Sequence, residues 1–156
     1  MPIVNRAAGL KEEITAWRRD FHANPEILFE VHRTAGIVEE KLRSFGCDEV
    51  VPGIGRTGVV AVIKGRTNAS GRVIGIRADM DALPMTETTS LPYASTVKGR
   101  AHACGHDGHT AMLLGAGPAA LLKAGTPINR IRRLVPVGVS AIYRIKKEME
   151  SCPTTN

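Results

Sequence analysis

The stretch His102-Ala103-Cys104-Gly105-His106-Asp107-Gly108-His109-Thr110 decides how the rest of the chain is read. Positions 102–109 hold three of the five histidines, one of the three cysteines and an acid. Thiolate and imidazole at that density are donors that zinc, manganese or nickel can use. A second acidic group lies upstream, in Arg77-Ala78-Asp79-Met80-Asp81-Ala82-Leu83-Pro84. Each cluster alone has an ordinary reading, as a polar loop facing water or as acids that end a strand. Together, with glycines at both bends of the histidine stretch, they point to a metal site. A cysteine nucleophile at Cys104, with His106 or His109 as its base, is another use of the same residues. A separation of two residues suits chelation better than a catalytic dyad.

Downstream, Thr110-Ala111-Met112-Leu113-Leu114 and residues 119–122 read as helix, with Gly125 as its stop. The ligand-bearing turn then sits at a helix amino end, where the backbone dipole favours a thiolate and a bound anion. Upstream, Val73 to Ile76 reads as a strand that runs into the acids. Extended alternation puts Asp79 and Asp81 on one side, about 7 Å apart along the backbone. Such groups collect beyond the carboxyl ends of strands in α/β sheets. Val59-Val60-Ala61-Val62-Ile63 reads as a buried strand, after a glycine-punctuated approach over 50–58. The turn at 68–71 makes the two strands antiparallel neighbours.

Two amphipathic helices precede the strands. Over 8–22, Leu10, Ile14, Trp17 and Phe21 form one stripe, and Asn24-Pro25 ends the helix because the residue before proline is pushed out of helical geometry. His22 at its carboxyl end reads as a cap. From about Glu30 to Phe45, Val31, Ala35, Val38, Leu42 and Phe45 share a side, and Gly46 supplies a left-handed stop. Residues 85–101 form a long polar connection with Pro92 and Tyr93, of the length that carries function.

Composition bounds the rest. At 156 residues, 43% hydrophobic and 23% charged, the chain fits one globular domain. No run of about 18 apolar residues is present, so no membrane span is expected. The first residues lack the apolar core of a secretory signal, and three scattered cysteines (Cys47, Cys104, Cys152) offer no disulfide framework. A cytoplasmic protein is the expectation. The net charge of +6 is uneven: residues 129–156 carry six Lys/Arg against two Asp/Glu. These basic residues are interleaved with Leu, Val and Ile, so a nucleic-acid arm is a minor alternative and nucleic acid is not an expected partner.

Five stretches together resemble the metallo-aminoacylase superfamily of amidohydrolases, in the branch of hippurate hydrolases, N-acyl-amino-acid deacylases and auxin-conjugate hydrolases. They are Trp17 to Glu26, Gly53 to Val60, Ile76 to Pro84, Pro92 to Ser95 and Ala101 to Gly115, in family order. The resemblance implies an α/β fold, a mixed central sheet flanked by helices, of which this chain holds the first part of a zinc-peptidase-like catalytic domain. It implies a binuclear divalent metal site, manganese or zinc with nickel or cobalt as alternatives, with Cys104 and His106 as metal ligands. Asp81 corresponds to the acid beside the metals that orients a ligand. Asp79, Asp107 and His109 lie in the motif without an assigned role. The implied reaction is hydrolysis of the amide bond of a small N-acyl amino acid, hippurate among them. The metals acidify a water and polarise the carbonyl, and a glutamate serves as base.

The resemblance runs through residues 1–125 and stops. Family members continue into Pro-Ala-Glu-Glu, the source of the base and a further ligand, whereas residues 126–156 form a divergent basic tail with Glu148 and Glu150 outside any such motif. The lid domain, which also dimerises the often homo-oligomeric relatives, and a late histidine ligand have no counterpart. The expectation is therefore a truncated or frame-shifted amidohydrolase that is inactive as it stands. A non-catalytic metal-binding remnant and a basic interaction module are the alternatives.

Overall fold

In the computed structural model of the chain, residues 10–65 and 71–123 are described. The expected stop at Gly125 and the basic tail of 126–156 lie outside them. The elements in order are helix α1 (Lys11–Ala23), helix α2 (His32–Ser44), strands β1 (Glu49–Ile54) and β2 (Gly58–Val62), and helix α3 (His106–Lys123).

The stripe read from the sequence is the face that α1 buries. Leu10 and Phe21 are buried and join Val38, Phe45 and Leu114 in one core, with Ile14, Trp17, Leu42 and Met80 packed against it. The Trp17 and Phe45 rings meet at 6.1 Å between centroids. α1 ends at Ala23, and the Asn24 side chain bonds back to the Asp20 carbonyl at 2.9 Å. The next residues start α2: Glu26 accepts from the Arg33 and Thr34 backbone N–H groups at 3.0 and 2.8 Å, so a side chain upstream of α2 satisfies two of its orphan donors. α2 ends where expected, with Gly46 at φ 78°.

α3 lies against α1, and this packing positions the site. A Cβ on Gly115 would stand 2.5 Å from Ile14 Cδ1, and one on Gly117 would stand 2.9 Å from Phe45 Cδ2. Two missing side chains therefore set how closely α3 seats on α1 and on the end of α2.

The strand readings are corrected in part. β2 forms over nearly the expected residues but is not the buried strand expected, since Val60 is 49% and Val62 39% exposed, and its partner is β1, the stretch read as an irregular approach. Val51 pairs with Val60 and Glu49 with Val62 in an antiparallel ladder, with an irregularity at Pro52 to Ile54. Val73 to Ile76 is not a strand among the described residues. Val73 and Ile74 are each 88% exposed and Ile76 71%. β-Branched residues fit a pleated surface, but a ladder needs a partner, and the short turn gave that partner to β2 from the other side. The α/β class holds. Beyond the hairpin, a parallel bridge joins Ile27 to Ala82 and an antiparallel one joins Leu83 to Ala101, so both pairing directions occur.

Candidate metal-binding site

Those two bridges deliver Asp81 to the start of α3. Ala82 N–H donates to the Glu26 carbonyl at 2.7 Å, Leu83 and Ala101 exchange both backbone bonds at 3.0 Å, and the Thr110 hydroxyl donates to the Asp79 carbonyl at 3.0 Å. Asp81 is thereby clamped between the α1–α2 connection and the histidine stretch.

Around it the expected residues converge. His106 Nδ1 lies 2.9 Å from the Asp81 carbonyl oxygen and 3.1 Å from its Oδ1. Both partners are acceptors, so Nδ1 carries a proton, and in the neutral ring that leaves the lone pair on Nε2. That is the arrangement in which a carboxylate fixes the tautomer and direction of a metal-ligating histidine. Cys104 Sγ stands 3.8 Å from the same Asp81 carbonyl, and its side chain is exposed. Thiol and imidazole thus meet at one backbone oxygen.

The remaining members of the motif scatter, because successive helix residues point about 100° apart. Among the described residues, no three His, Cys, Asp or Glu side chains stand close enough to share an ion. Of the dense sequence cluster, Cys104 and His106 are the members that approach the Asp81 carbonyl. Their thiolate–imidazole chemistry fits a divalent transition metal with a partial ligand set. His109 is exposed, with its ring 5.7 Å from that of His106, one turn back on the same face. Asp79 pairs with Arg77 at 2.9 Å on the surface. His102 turns inward and is 5% exposed, and neither ring nitrogen has a hydrogen-bond partner among the described residues. Burial pushes its pKa down, and the nearby Asp107 carboxylate opposes that shift.

Behind the loop lies a network that sequence reading missed. Asp107, 2% exposed, accepts from His22 Nδ1 at 2.7 Å, from Arg18 Nε at 2.8 Å and from the Gly108 N–H at 2.8 Å. His22 is not a solvent-facing cap. It is buried, its Nε2 lies 3.2 Å from Glu87 Oε1, and the Tyr93 ring sits edge-on to it at 5.6 Å. Glu87 accepts from the Thr89 hydroxyl and, at 2.6 Å, from the Ser95 N–H. The Thr89 bond, followed by the Ser95 bond, holds its carboxyl at about 2. The available signal was the spacing of Arg18 and His22, which at i and i+4 share one face of α1.

Known proteins are similar to this chain in sequence and backbone. Residues 75–128 match the model of peptidase family M20/M25/M40. An N-acyl-L-amino acid amidohydrolase of Geobacillus stearothermophilus is 50% identical over 106 residues, 68% of this chain and 28% of that protein. A hippurate hydrolase of Campylobacter jejuni is 47% identical over 114 residues, 73% of this chain and 29% of that one. A Rhodococcus jostii protein named a putative glutamate–cysteine ligase is 45% identical over 122 residues, 78% of this chain, but these make up only 15% of that much longer protein. A Bacillus subtilis crystal structure, described as a dinuclear metal-binding peptidase from the M20 family, superposes with a TM-score of 0.63 at 40% identity, covering 79% of this chain and 31% of its own. The chain spans under a third of the length of each of these proteins. The family match over residues 75–128, the shared backbone and the Cys104–His106 turn beside Asp81 all liken this part of the chain to peptidase family M20/M25/M40.

Proposed function

We propose that residues 1–125 form the metal-binding part of an amidohydrolase that cleaves the amide bond of small N-acyl amino acids of the hippurate type. The observation that carries this reading is the His106 Nδ1 bond to Asp81, whose carbonyl oxygen the exposed Cys104 Sγ also approaches, at 3.8 Å. Cys104 and His106 are the metal ligands in this reading, and Asp81 orients His106. A bound divalent ion, manganese or zinc, supplies an acidified water and a polarised carbonyl. The residues of this chain contribute by fixing the imidazole tautomer and by holding the thiolate close to it. The names of the Geobacillus and Campylobacter relatives support the substrate class.

A second reading has its own observation. Two donors converge where a binuclear centre needs more, and no glutamate base stands with them among the described residues. General-base assistance is typically worth about 10²–10⁴-fold. We therefore propose that this chain by itself binds a divalent ion and turns over slowly. No helix of the described residues is long and apolar enough to cross a membrane, and the free Cys47 and Cys104 fit a reducing cytoplasm.

The test is metal content and free-amine release from hippurate and N-acetyl amino acids, with manganese or zinc. The expected result is bound metal that falls clearly in Cys104→Ser, with turnover near background. Unchanged metal in that variant would remove the site. Fast metal-dependent turnover that Cys104→Ala abolishes would replace the second reading with a complete active site.

A further inference from the structure

The buried carboxylate next to His106 has no role in the reading above, yet it is the most tightly held side chain of the loop. We propose that Asp107 is a positioning residue, whose bonds to Arg18 and His22 set the rotation of the first turn of α3 so that His106 faces Asp81. The proposal rests on the metal-loop reading for its functional meaning and on the bonds of the metal-free protein for its geometry.

Three observations carry it. The first is helical geometry: adjacent residues differ by about 100° about the axis, so fixing the direction of Asp107 fixes that of His106. The second is the nature of the pin. Both outside partners of Asp107, Arg18 Nε at 2.8 Å and His22 Nδ1 at 2.7 Å, come from the last turns of α1, and both bond the same Oδ2. α1 thus grips α3 at its beginning, while Gly115 and Ile14 set the spacing further along. The third is the looseness of the turn itself. Gly105, at φ 93°, precedes α3, and Gly108 lies within its first turn. Two residues without side chains leave the segment free to rotate or fray unless something holds it. Thr110, one turn along from Asp107, bonds the Asp79 carbonyl and orients the other side of the contact.

A residue that merely stabilises the packing of α1 against α3 would give a different result, and the experiment separates the two. The full chain is prepared metal-free as Asp107→Asn, as Arg18→Met and as Ile14→Ala. The last loosens the same helix pair by a cavity and leaves Asp107 pinned. Two readouts are taken at one pH. One is the slowly exchanging Nδ1–H proton of His106 in the metal-free protein. The other is the cobalt affinity, with the thiolate-to-cobalt charge-transfer band. The expected result is loss of the His106 proton signal and a fall in cobalt affinity of about tenfold or more in Asp107→Asn, the scale of partners one step removed from a ligand. A smaller loss of both is expected in Arg18→Met, and neither in Ile14→Ala at a matched fall in Tm. Asp107→Asn that keeps signal and affinity overturns the proposal, as does Ile14→Ala that loses both. Should Asp107→Asn not fold, Arg18→Met decides by the same criteria. Should the wild type take up no cobalt, the metal reading fails, and the His106 proton still decides the role of Asp107.

Discussion

Replacing Asp81 tests the core of the site, and the size of the effect follows from its contacts. His106 Nδ1 faces two oxygens of that residue, the carbonyl at 2.9 Å and Oδ1 at 3.1 Å. Only the second belongs to the side chain. A hydrogen bond to a charged group is worth about 1.5–3 kcal/mol, against about 0.5–1.5 for a neutral one. Asp81→Asn keeps the carbonyl bond and exchanges a charged acceptor for a neutral one, a difference of about 1–1.5 kcal/mol. The Asp81 side chain is 35% exposed, so solvent screening reduces this to about 1 kcal/mol. With 1.4 kcal/mol per factor of ten, the expected loss of metal affinity is about fivefold. Asp81→Ala removes the side-chain acceptor and leaves only the backbone carbonyl, and its expected loss is about tenfold, at the low end of the 10–100-fold range for groups that orient a ligand. The assay is zinc competition against a chromophoric chelator under anaerobic conditions, with a thermal melt of the metal-free protein as the folding control. The backbone bonds of Ala82 and Leu83 are untouched, so the melt should shift by no more than a few degrees. Unchanged zinc affinity in Asp81→Ala, with the protein folded, would refute the claim that His106 binds through Nε2 under the control of Asp81.

Other perturbations reach the supports of the site. Gly115→Ala gains about 1 kcal/mol of helix propensity but drives a Cβ to 2.5 Å from Ile14 Cδ1, and overpacking costs about 1–3 kcal/mol. A lower Tm, restored by Ile14→Val in the same chain, is expected, and a rise in Tm would refute the close approach. Alkylation mapped by mass spectrometry should label the exposed Cys104 well before the half-buried Cys47, whose thiol is pushed up by burial and then by Asp48; the reverse order would contradict the fold. Glu87, held at about 2 against an ordinary 4.5, favours folding when ionised. Its contribution is therefore complete above about pH 4.5 and fades as pH falls toward 2. Glu87→Gln should be less stable than wild type at neutral pH and equal to it near pH 2, and a gap that does not vary with pH would count against the Thr89 and Ser95 bonds.

What was legible in the sequence is what depends on local periodicity. The α1 and α2 stripes, the stop at Asn24-Pro25 and the helix through Thr110 to Leu114 are set by residues within a few positions of each other, and they form as read, although the last starts earlier, at His106. β1 was hidden because Pro52 and Gly53 punctuate it, although the ladder tolerates them at its irregular end. Val73 to Ile76 has strand composition without a strand, since composition cannot say which neighbour is free to pair. In the proposed site, Cys104 and His106 stand out by a spacing that suits chelation, and Asp81 by the family resemblance. The Asp107–His22–Glu87 chain was not, because its members are 65 and 85 positions apart and meet only when α3 seats on α1.

The exposed segment before Asp81 bears on how the site is held. A strand running into a ligand-orienting acid would hold it from its amino side, but Val73 to Ile76 makes no ladder, and its apolar side chains face outward. The surface pair between Arg77 and Asp79 adds little, since exposed ion pairs contribute about 0–1 kcal/mol. Asp81 is instead fixed from its carboxyl side, by Ala82 on the Glu26 carbonyl and Leu83 on Ala101, and from α3 by Thr110. Glu26 also caps α2 with its carboxylate. One residue therefore couples the start of α2 to the position of Asp81, through its side chain in one direction and its carbonyl in the other. The His102–Thr110 stretch draws its geometry from the helix layer, α1 through Asp107 and the α1–α2 connection through Glu26, more than from the sheet.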